Sequence, residues 1–435
     1  MKVYLRTFGC RANQYDSEAV RTMAMAGGAT LVDAPDDADV AVFNSCAVTA
    51  DAVADLRQQV RRAARRNPAL RTIVMGCASA LAGDDSAAIA ALPTVHSLVP
   101  GADLAAIAEL LDVSLPSGLR TDHQSGARGL LRIQDGCDEH CTFCVTTVAR
   151  GAHRSRPADL LLAEASALAD RHAEIVLTGV HIGSWGSELG STLGALVTRL
   201  AHEVPHARFR LTSIEATEVD EQLAELLTGA PRHVAPHLHA PLQSGSDSVL
   251  RRMGRHWYTA SRYAHAVERL ASRAPVLALG ADVITGFPGE SAEDHAATVA
   301  LVEALPFTSL HVFPYSPRPG TAALRLPDAV DPVIARSRAA ALRVIGERKA
   351  AAHRALRAGG DADVVVVRDG GAARGLTEDY LDVRLLAGAD TPVPARGSRF
   401  DAVLERHADL LVARPAAPDP RSRVAGLQAA SPPPR

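Results

Sequence analysis

Residues 132–156, RIQDGCDEHCTFCVTTVARGAHRSR, hold Cys137, Cys141 and Cys144 in a CxxxCxxC spacing. They follow the apolar run at residues 129–133, which predicts a strand. Three thiolates on one short loop can all point at the same metal ion or cluster. They are one ligand short of the four that close a structural site, so one metal position stays open for a substrate or cofactor. Spacing alone also fits a zinc knuckle with a distant fourth ligand, or three unrelated buried thiols.

Outward from this loop, six strand-then-helix units are predicted between residue 129 and about residue 326. The predicted strands lie at residues 130–134, 175–179, 209–214, 237–242, 276–284 and 309–315. Amphipathic helices between them include residues 160–172, 193–202 and 294–305. Repeated βα units predict a parallel sheet with right-handed crossovers, open or closed into a barrel. Chemistry in such barrels sits at the carboxyl ends of the strands, where this chain carries polar, glycine-rich motifs.

Upstream, residues 1 to about 120 alternate predicted strands and helices in an open α/β pattern. Strands are predicted at residues 2–8, 40–46 and 71–76, and helices at residues 17–26 and 50–66. Each predicted strand ends at or next to a cysteine, and these are Cys10, Cys46 and Cys77. The carboxyl ends of parallel strands line the crevice where ligands bind, so the three thiols indicate a second cluster site. The alternative is that each cysteine is a small buried core residue.

The predicted helix at residues 52–66 is rich in arginine. Its arginines are Arg57, Arg61, Arg62, Arg65 and Arg66. Only Asp51 and Asp55 offset this charge. The helix could present a phosphate-tracking face to a nucleic acid, or simply be a solvated surface.

The formal net charge of −3 gives no overall field that attracts nucleic acid. The start of the chain, MKVYLRTFGC, has Arg6 where a signal peptide needs an uninterrupted apolar stretch. No apolar run approaches the length of a membrane span. We therefore expect a cytoplasmic protein without membrane partners, in which six cysteines serve as metal ligands or catalytic groups rather than disulfides.

Changes in composition predict the domain organisation. Residues 1–115 form the N-terminal α/β domain, residues 116–128 a linker rich in serine, glycine and histidine, and residues 129–357 the barrel. The barrel segment ends in a basic helix at residues 331–357. Short β runs at residues 358–414 predict a small all-β barrel, and the Pro/Ala-rich residues 415–435 a disordered tail.

This order of domains resembles the radical S-adenosylmethionine (SAM) methylthiotransferases. The strings that carry the resemblance include TFGCRANQYDSE, NSCAVTA, GCDEHCTFC, RLTSIEATEVD, HLHAPLQSGSDSVLRRMGR and DVITGFPGESAEDHAATV. The spelling of GVHIGSWG and LHVFPYSPRPGT is most similar to the branch that acts on threonylcarbamoyladenosine in tRNA. Sister branches act on isopentenyladenosine in tRNA or on an aspartate of a ribosomal protein. The resemblance implies an open α/β domain, a partial (β/α)6 TIM-like barrel and a C-terminal TRAM barrel.

The resemblance also implies which residues form the sites. Cys137, Cys141 and Cys144 would bind the catalytic 4Fe–4S cluster that chelates SAM. An auxiliary 4Fe–4S cluster would be bound by Cys10, Cys46 and Cys77. The strand-end positions implied to contact SAM are Gly179, Ser213, Glu215, Gln243 and Gly286. At the glycines, a tight βα turn is the alternative explanation.

Further candidates follow from the same resemblance. Arg150, Arg154 and Arg156 could bind the SAM carboxylate or tRNA phosphate, or belong to an exposed loop. Pocket candidates, for which core packing is the alternative role, are Trp185, Phe287 and Tyr315. The chain departs from the common family pattern at Thr147, Val148, Trp185 and the string CASA, which leaves the details of the substrate pocket open.

The implied reaction places a methylthio group on carbon 2 of an adenine. Breaking that C–H bond is beyond any side-chain base, so a cofactor must supply the chemistry. The implied partners are the tRNA anticodon stem-loop, an electron donor such as flavodoxin or ferredoxin, and an unknown sulfur donor. Two other hypotheses remain at this point: an RNA-binding protein with structural zinc, and a radical SAM enzyme whose auxiliary cluster has no function.

Overall fold

The computed structural model describes residues 1–81, 84–116, 118–274, 276–371, 373–388, 391–408 and 410–416. Its N-terminal part is a five-stranded parallel sheet in the order β2-β1-β3-β4-β5. The strands are β1 (Lys2–Thr7), β2 (Thr30–Val32), β3 (Val40–Ser45), β4 (Arg71–Gly76) and β5 (Val95–Pro100). The helices are α1 (Arg11–Ala26), α2 (Ala50–Arg66), α3 (Asp84–Ala90) and α4 (Leu104–Leu110).

The central strand β3 is buried along its whole length because helices cover both faces of the sheet. Ala41 and Phe43 pack into a core with α2, whereas Val40 and Val42 pack into a second core with α1 and α4. This alternation is the period of two expected for a strand. A strand apolar on both faces is typical of a parallel sheet.

The second part is a partial barrel of six parallel strands in the order β6-β9-β10-β11-β12-β13. The six barrel strands are β6 (Gly129–Arg132), β9 (Glu174–Thr178), β10 (Arg208–Leu211), β11 (His237–His239), β12 (Ala278–Thr285) and β13 (Ser309–Pro314). Two further strands, β7 (Gln134–Asp135) and β8 (Arg154–Ser155), form a separate antiparallel pair. Its helices are α5 (Thr146–Arg150), α6 (Ala158–Ala169), α7 (Leu193–Glu203), α8 (Glu221–Gly229), α9 (Asp247–Arg252), α10 (Ala260–Ala271), α11 (Ala292–Ala304) and α12 (Pro332–Arg357). Isolated bridges at Phe209–Val234 and Ser213–His239 join its two halves.

The third part is a small closed barrel in the order β14-β15-β16-β18-β17. Its strands are β14 (Asp361–Arg368), β15 (Arg374–Leu376), β16 (Asp382–Leu385), β17 (Arg399–His407) and β18 (Leu410–Pro415). Buried Arg210 holds it to the larger barrel, because it donates to the carbonyls of Thr377 and Glu378. Arg210 and its neighbour Arg208 are themselves paired with buried Glu174.

The predicted fold class is confirmed, with an open α/β domain, a partial parallel barrel and a small C-terminal β-barrel. Two predicted strands run too long: those at 209–214 and 237–242 end at Leu211 and His239, and the residues beyond are loop, of which Ile214, Ala240 and Leu242 are buried. The first helix begins at Arg11 rather than at residue 17, and β2, β5, α3 and α4 were not among the predicted elements.

The proposed domain boundaries stay predictions. Most of the tail predicted to be disordered, from residue 417 onward, lies outside the described residues. None of the described helices has the length and apolar character that crossing a membrane requires.

Candidate functional site

A cavity of about 1460 Å³ lies between the N-terminal sheet and the lumen of the partial barrel. Cys10, Cys46 and Cys77, here called the N-terminal thiol set, line it from the sheet. Gly179 and Ser213 line it from the carboxyl ends of β9 and β10. The two α/β parts of the chain therefore share one cavity, with strand ends facing it from both.

Close backbone packing brings the N-terminal thiol set together. Gly9 has a φ of +88°, and a Cβ atom there would lie 2.6 Å from the Cβ of Cys46, so only glycine fits this turn. Buried Asn13 donates to the carbonyls of Phe8 and Ser45, which ties the ends of β1 and β3 to each other. All three cysteines are free thiols; Cys46 and Cys77 are buried and Cys10 is exposed.

The charge around this set suits an anionic group. Burial raises the pKa of the Cys77 thiol to about 11, with the Arg150 guanidinium acting in the opposite direction. Burial also raises the pKa of Cys46, and the charge of Arg318 lowers it. Arg318 is only 4% exposed, and its Nε and Nη2 find no hydrogen-bond partner among the described residues. Because an uncompensated buried charge is costly, this guanidinium fits an anionic cluster held by the three thiolates.

The second thiol set lies in residues 137–144, here called the cysteine loop. The amide of Cys137 donates to the carbonyl of Gly151 at 3.1 Å, and that of Thr142 donates to the carbonyl of Met253 at 2.9 Å. These contacts fix the loop at both ends. Cys137, Cys141 and Cys144 are half-buried free thiols, as ligands to a partly accessible cluster would be.

Two of these thiols face a cationic side chain from elsewhere in the barrel. Arg255 Nη1 lies 3.5 Å from Cys141 Sγ, and His181 Nδ1 lies 3.9 Å from Cys137 Sγ. Burial raises the pKa of Cys141 to about 12, with Arg255 opposing it. Burial alone would lower the pKa of His181, but hydrogen bonds to Cys137 and Glu218 raise it to about 10. Such partners stabilise thiolates, the form of cysteine that binds metal.

Glu215 connects the cysteine loop to the strand ends. It forms a buried ion pair with Arg255, the same side chain that contacts Cys141. Its other oxygen, Oε2, is buried and has no partner among the described residues. Burial raises the pKa of Glu215, and Arg255 acts against this effect. One carboxylate oxygen therefore stays available to accept a hydrogen bond from a ligand.

The other positions implied to contact SAM fall into two groups. Gly179 and Ser213 line the cavity, and a Cβ on Gly179 would lie 2.7 Å from the carbonyl oxygen of Gln134. Gly286 instead packs against α12, where a Cβ would lie 2.3 Å from that of Ala335. Gln243 has a φ of +63° in a buried turn. Close packing thus accounts for Gly286, and contact with SAM stays a prediction for all of these residues.

Most of the further candidates are engaged inside the protein. Arg150 is buried and donates to Asp16 Oδ2 at 2.7 Å, and Arg156 donates to Glu164 Oε2 at 2.6 Å. The third arginine, Arg154, has a side chain that is 61% exposed. The aromatic candidates Trp185 and Phe287 are core residues, and Tyr315 packs against Phe287 with ring centroids 5.2 Å apart.

Sequence reasoning missed three cations that face the thiols: His181, Arg255 and Arg318. His181 and Arg318 lie within the strand-end motifs TGVHIGSWG and YSPRPGT, so their position was a usable signal. Arg255 follows the short helix α9 and ends the string HLHAPLQSGSDSVLRRMGR, away from the strand end itself. Sequence reasoning also missed His239, Asp282 and His311, which line the cavity together.

A loop that offers three cysteine ligands at the carboxyl ends of a partial parallel barrel is typical of a radical SAM enzyme. Residues 131–302 match the family described as the Radical SAM superfamily. Residues 2–99 match the family described as Uncharacterized protein family UPF0004. Membership of the superfamily implies SAM and a 4Fe–4S cluster as cofactors, which agrees with the donor set of the loop.

Relatives extend this assignment over most of the chain. The threonylcarbamoyladenosine tRNA methylthiotransferase MtaB of Aquifex aeolicus is 31% identical over 400 residues, covering 88% of this chain and 96% of the relative. MtaB of Bacillus subtilis is 36% identical over 76% of each chain. A tRNA-2-methylthio-N(6)-dimethylallyladenosine synthase of Cereibacter sphaeroides is 33% identical, covering 75% of this chain and 78% of the relative. The chain belongs to the radical SAM methylthiotransferase family and is MtaB-like.

Among solved structures, the radical SAM methyltransferase TsrM from Kitasatospora setae superposes with a TM-score of 0.58 at 16% identity. The match covers 74% of this chain and 76% of TsrM. At this identity the likeness concerns the fold alone.

Proposed function

We propose that this protein transfers a methylthio group to carbon 2 of N6-threonylcarbamoyladenosine next to the anticodon of tRNA. The observation that carries the proposal is the position of Arg150 between the two thiol sets. Arg150 ends the helix that follows the cysteine loop, lines the same cavity as Cys77 of the N-terminal thiol set, and through its charge opposes the rise that burial causes in the pKa of that thiol. A reaction that removes a hydrogen atom and adds sulfur needs a site for SAM cleavage and a site for sulfur transfer next to one substrate cavity.

Cys137, Cys141 and Cys144 would hold the cluster that chelates SAM, and Cys10, Cys46 and Cys77 an auxiliary 4Fe–4S cluster. Bound there, these cofactors supply the one-electron chemistry and the sulfur that no side chain can provide. His181 and Arg255 offset the negative charge of the cysteine loop, and Arg318 that of the N-terminal thiol set.

The free Oε2 of Glu215 would accept a hydrogen bond from a ribose hydroxyl or the ammonium of SAM. Gly179 lets a ligand approach the backbone at the end of β9, and Ser213 offers a hydroxyl at the end of β10. Gln243 and Gly286 shape the neighbouring turns. In this way the strand ends would orient SAM between the cysteine loop and the cavity.

The cavity has room for a nucleoside as well as a cofactor, since about 300–1,000 Å³ is usual for a single small-molecule site. Enzymes that modify a base take it out of its stack, and anticodon-loop bases can be splayed outward. On α2, Arg61, Arg62 and Arg65 are exposed and could follow tRNA phosphates, whereas Arg57 and Arg66 are paired with Asp85 and Asp36. Reduction would require an electron donor such as flavodoxin or ferredoxin; the sulfur donor is not specified by the structure.

A second candidate substrate is isopentenyladenosine in tRNA, because the Cereibacter sphaeroides relative is named for dimethylallyladenosine and is 33% identical. Methylthiolation of a ribosomal-protein aspartate is a third. The test is nucleoside mass spectrometry of tRNA from a host lacking its own methylthiotransferases, with and without this gene. Methylthio-threonylcarbamoyladenosine appearing only with the gene supports the proposal. If methylthio-isopentenyladenosine appears instead, the chain belongs to the sister branch that acts on isopentenyladenosine. If no modified nucleoside appears although the protein carries its clusters, a protein substrate is indicated.

A further inference from the structure

Three side chains with metal-binding atoms, none of them a cysteine, meet inside the barrel. His239, Asp282 and His311 lie on the adjacent strands β11, β12 and β13 and line the cavity. We call them the lumen triad. One donor atom from each residue lies within 4.8 Å of the other two. The triad plays no part in holding either cluster in the function proposed above.

The register of the strands explains this meeting. Asp282 pairs directly with His311 along the β12–β13 ladder, and His239 pairs with Gly280, two residues before Asp282. Residues two apart on a strand share a face, so all three side chains reach the same side of the sheet. The arrangement is set by strands rather than by a loop, and strands hold ligands in place more firmly.

The distances suit a metal ion. His239 Nε2 lies 3.0 Å from Asp282 Oδ1, and His311 Nδ1 lies 3.2 Å from the same oxygen. Two ligands that each lie about 2.0–2.1 Å from one metal ion are roughly 2.8–3.4 Å apart at octahedral or tetrahedral angles. The side chains would therefore need only small rotations to bind an ion.

A glycine leaves room for the arrangement. A Cβ on Gly280 would lie 2.6 Å from His239 Nδ1 and 2.8 Å from Ser309 Oγ. Any larger residue at position 280 would displace the His239 ring. The imidazoles of His239 and His311 lie side by side, with centroids 4.9 Å apart.

Asp282 is available as a charged ligand. Its Oδ1 lies within hydrogen-bond distance of a ring nitrogen of both histidines. The competing explanation is a hydrogen-bonded triad in which one carboxylate oxygen accepts from both imidazoles. That arrangement needs no ion, so a measurement of ion binding distinguishes a metal site from a hydrogen-bonded triad.

We propose that His239, Asp282 and His311 bind one divalent metal ion of the zinc, manganese or iron(II) class. Two imidazoles and one carboxylate are typical ligands for these ions, and three protein ligands leave coordination positions open. Those positions face the cavity, so an oxygen or nitrogen atom of a bound ligand can complete the coordination. The inference goes beyond the proposed reaction and does not depend on its substrate.

The test uses Mn²⁺ as the probe and the full-length protein with its iron loaded anaerobically. Oxidised 4Fe–4S clusters give no electron paramagnetic resonance signal, so loss of the free Mn²⁺ signal reports binding directly. The variants are His239→Gln, Asp282→Asn and His311→Gln, and the matched control is His202→Gln at an exposed position of α7. Cluster absorbance and melting temperature establish that each variant is folded. Because His311 is the most exposed of the three, its variant serves if the other two fail to fold.

The expected result is saturable binding of one Mn²⁺ per chain, displaced by Zn²⁺ and weakened roughly tenfold or more in the triad variants but not in the control. Nitrogen couplings from imidazole on the bound Mn²⁺ should diminish in His239→Gln. Equal Mn²⁺ binding by the wild type and by folded triad variants, or no saturable binding at all, would overturn the proposal. None of these readouts involves tRNA. A negative result for Mn²⁺ binding therefore leaves the proposed function intact, and a negative result in the tRNA assay leaves the proposed metal site intact.

Discussion

Arg150 of the barrel donates a hydrogen bond of 2.7 Å to Asp16 of the N-terminal domain, and both residues are buried. The same guanidinium donates to Asn13, the residue that ties the ends of β1 and β3 together. Burial alone would lower the pKa of Arg150, but the charges of Asp16 and Asp135 raise it, so the side chain stays charged. This ion pair, the hydrogen bond to Asn13 and the packing of Val145 and Ala149 in the N-terminal core thus hold the helix after the cysteine loop against the N-terminal domain.

Arg150→Ala should therefore damage both stability and product formation. Removing one partner of a buried ion pair costs about 3–5 kcal/mol, because the other charge stays buried. Arg132, which also pairs with Asp16, should reduce that cost. We expect a lower urea midpoint and loss of methylthiolation beyond the loss of SAM cleavage. The control is Arg171→Ala, at an exposed position after α6; if it behaved like Arg150→Ala, the ion pair would not be the cause.

Replacing Cys10, Cys46 and Cys77 together with alanine should separate the two halves of the reaction. SAM cleavage depends on the cysteine loop and should persist, whereas methylthiolation should disappear because the auxiliary cluster is absent. Iron and sulfide should fall by about half in chemical analysis. Cys137→Ala, the matched variant in the other set, should lose both activities. Unchanged product from the triple variant would mean that an auxiliary cluster has no function here.

Arg255→Gln should weaken SAM cleavage without unfolding the protein. The guanidinium contacts Cys141 and Glu215 at once, so it positions a cluster ligand and a candidate SAM contact. Loss of such a supporting group typically costs roughly 10–100-fold in affinity or activity. The readouts are SAM cleavage and the reduction potential of the cluster, which a change in packing alone would leave unshifted. The control is Arg251→Gln, which changes an exposed arginine nearby. If the cluster bound by Cys137, Cys141 and Cys144 kept its wild-type reduction potential in Arg255→Gln, the role assigned to Arg255 would be wrong.

Local signals made parts of the fold predictable. Helix α2 and strand β4 were predicted with their observed bounds, because Thr49 caps the helix and apolar periodicity defines its buried face. Strand β11 was predicted too long because Ala240 and Leu242 remain buried and apolar after the strand ends. Their carbonyls accept hydrogen bonds from the side chains of Tyr263 and Tyr258, while their amides still donate to backbone carbonyls of β12. Burial is readable from sequence, but the partner of a backbone group is not.

The cysteines of the candidate site could be read from spacing and from predicted strand ends. Their cationic partners could not, because the contact between Arg255 and Cys141 joins residues 114 apart in the chain. The lumen triad likewise depends on the register of three strands. A shift of one residue in β12 would turn Asp282 to the other face, and no local pattern fixes that register.

Glu174→Gln should loosen the C-terminal barrel and change the acid stability of the protein. Burial alone would raise the pKa of Glu174, but the guanidiniums of Arg210 and Arg208 lower it well below its usual range. A carboxyl whose pKa is lower in the folded than in the unfolded state stabilises the fold at neutral pH. That contribution is fully present above the unfolded pKa of about 4.3 and is lost as the pH falls below it. The same arginines hold the C-terminal barrel through the carbonyls of Asp363, Thr377 and Glu378.

In the variant, Arg210 would remain buried without a carboxylate and Arg208 would keep only Asp363, which costs about 3–5 kcal/mol at pH 7. Urea unfolding at pH 7 and pH 4 measures the effect, and the difference between variant and wild type should shrink at the lower pH. Limited proteolysis should cut near residues 358–360, between α12 and β14, faster than in the wild type. Glu109→Gln, at an exposed position of α4, is the control and should match the wild type at both pH values. A pH-independent difference would show that Glu174 acts through packing rather than through its charge.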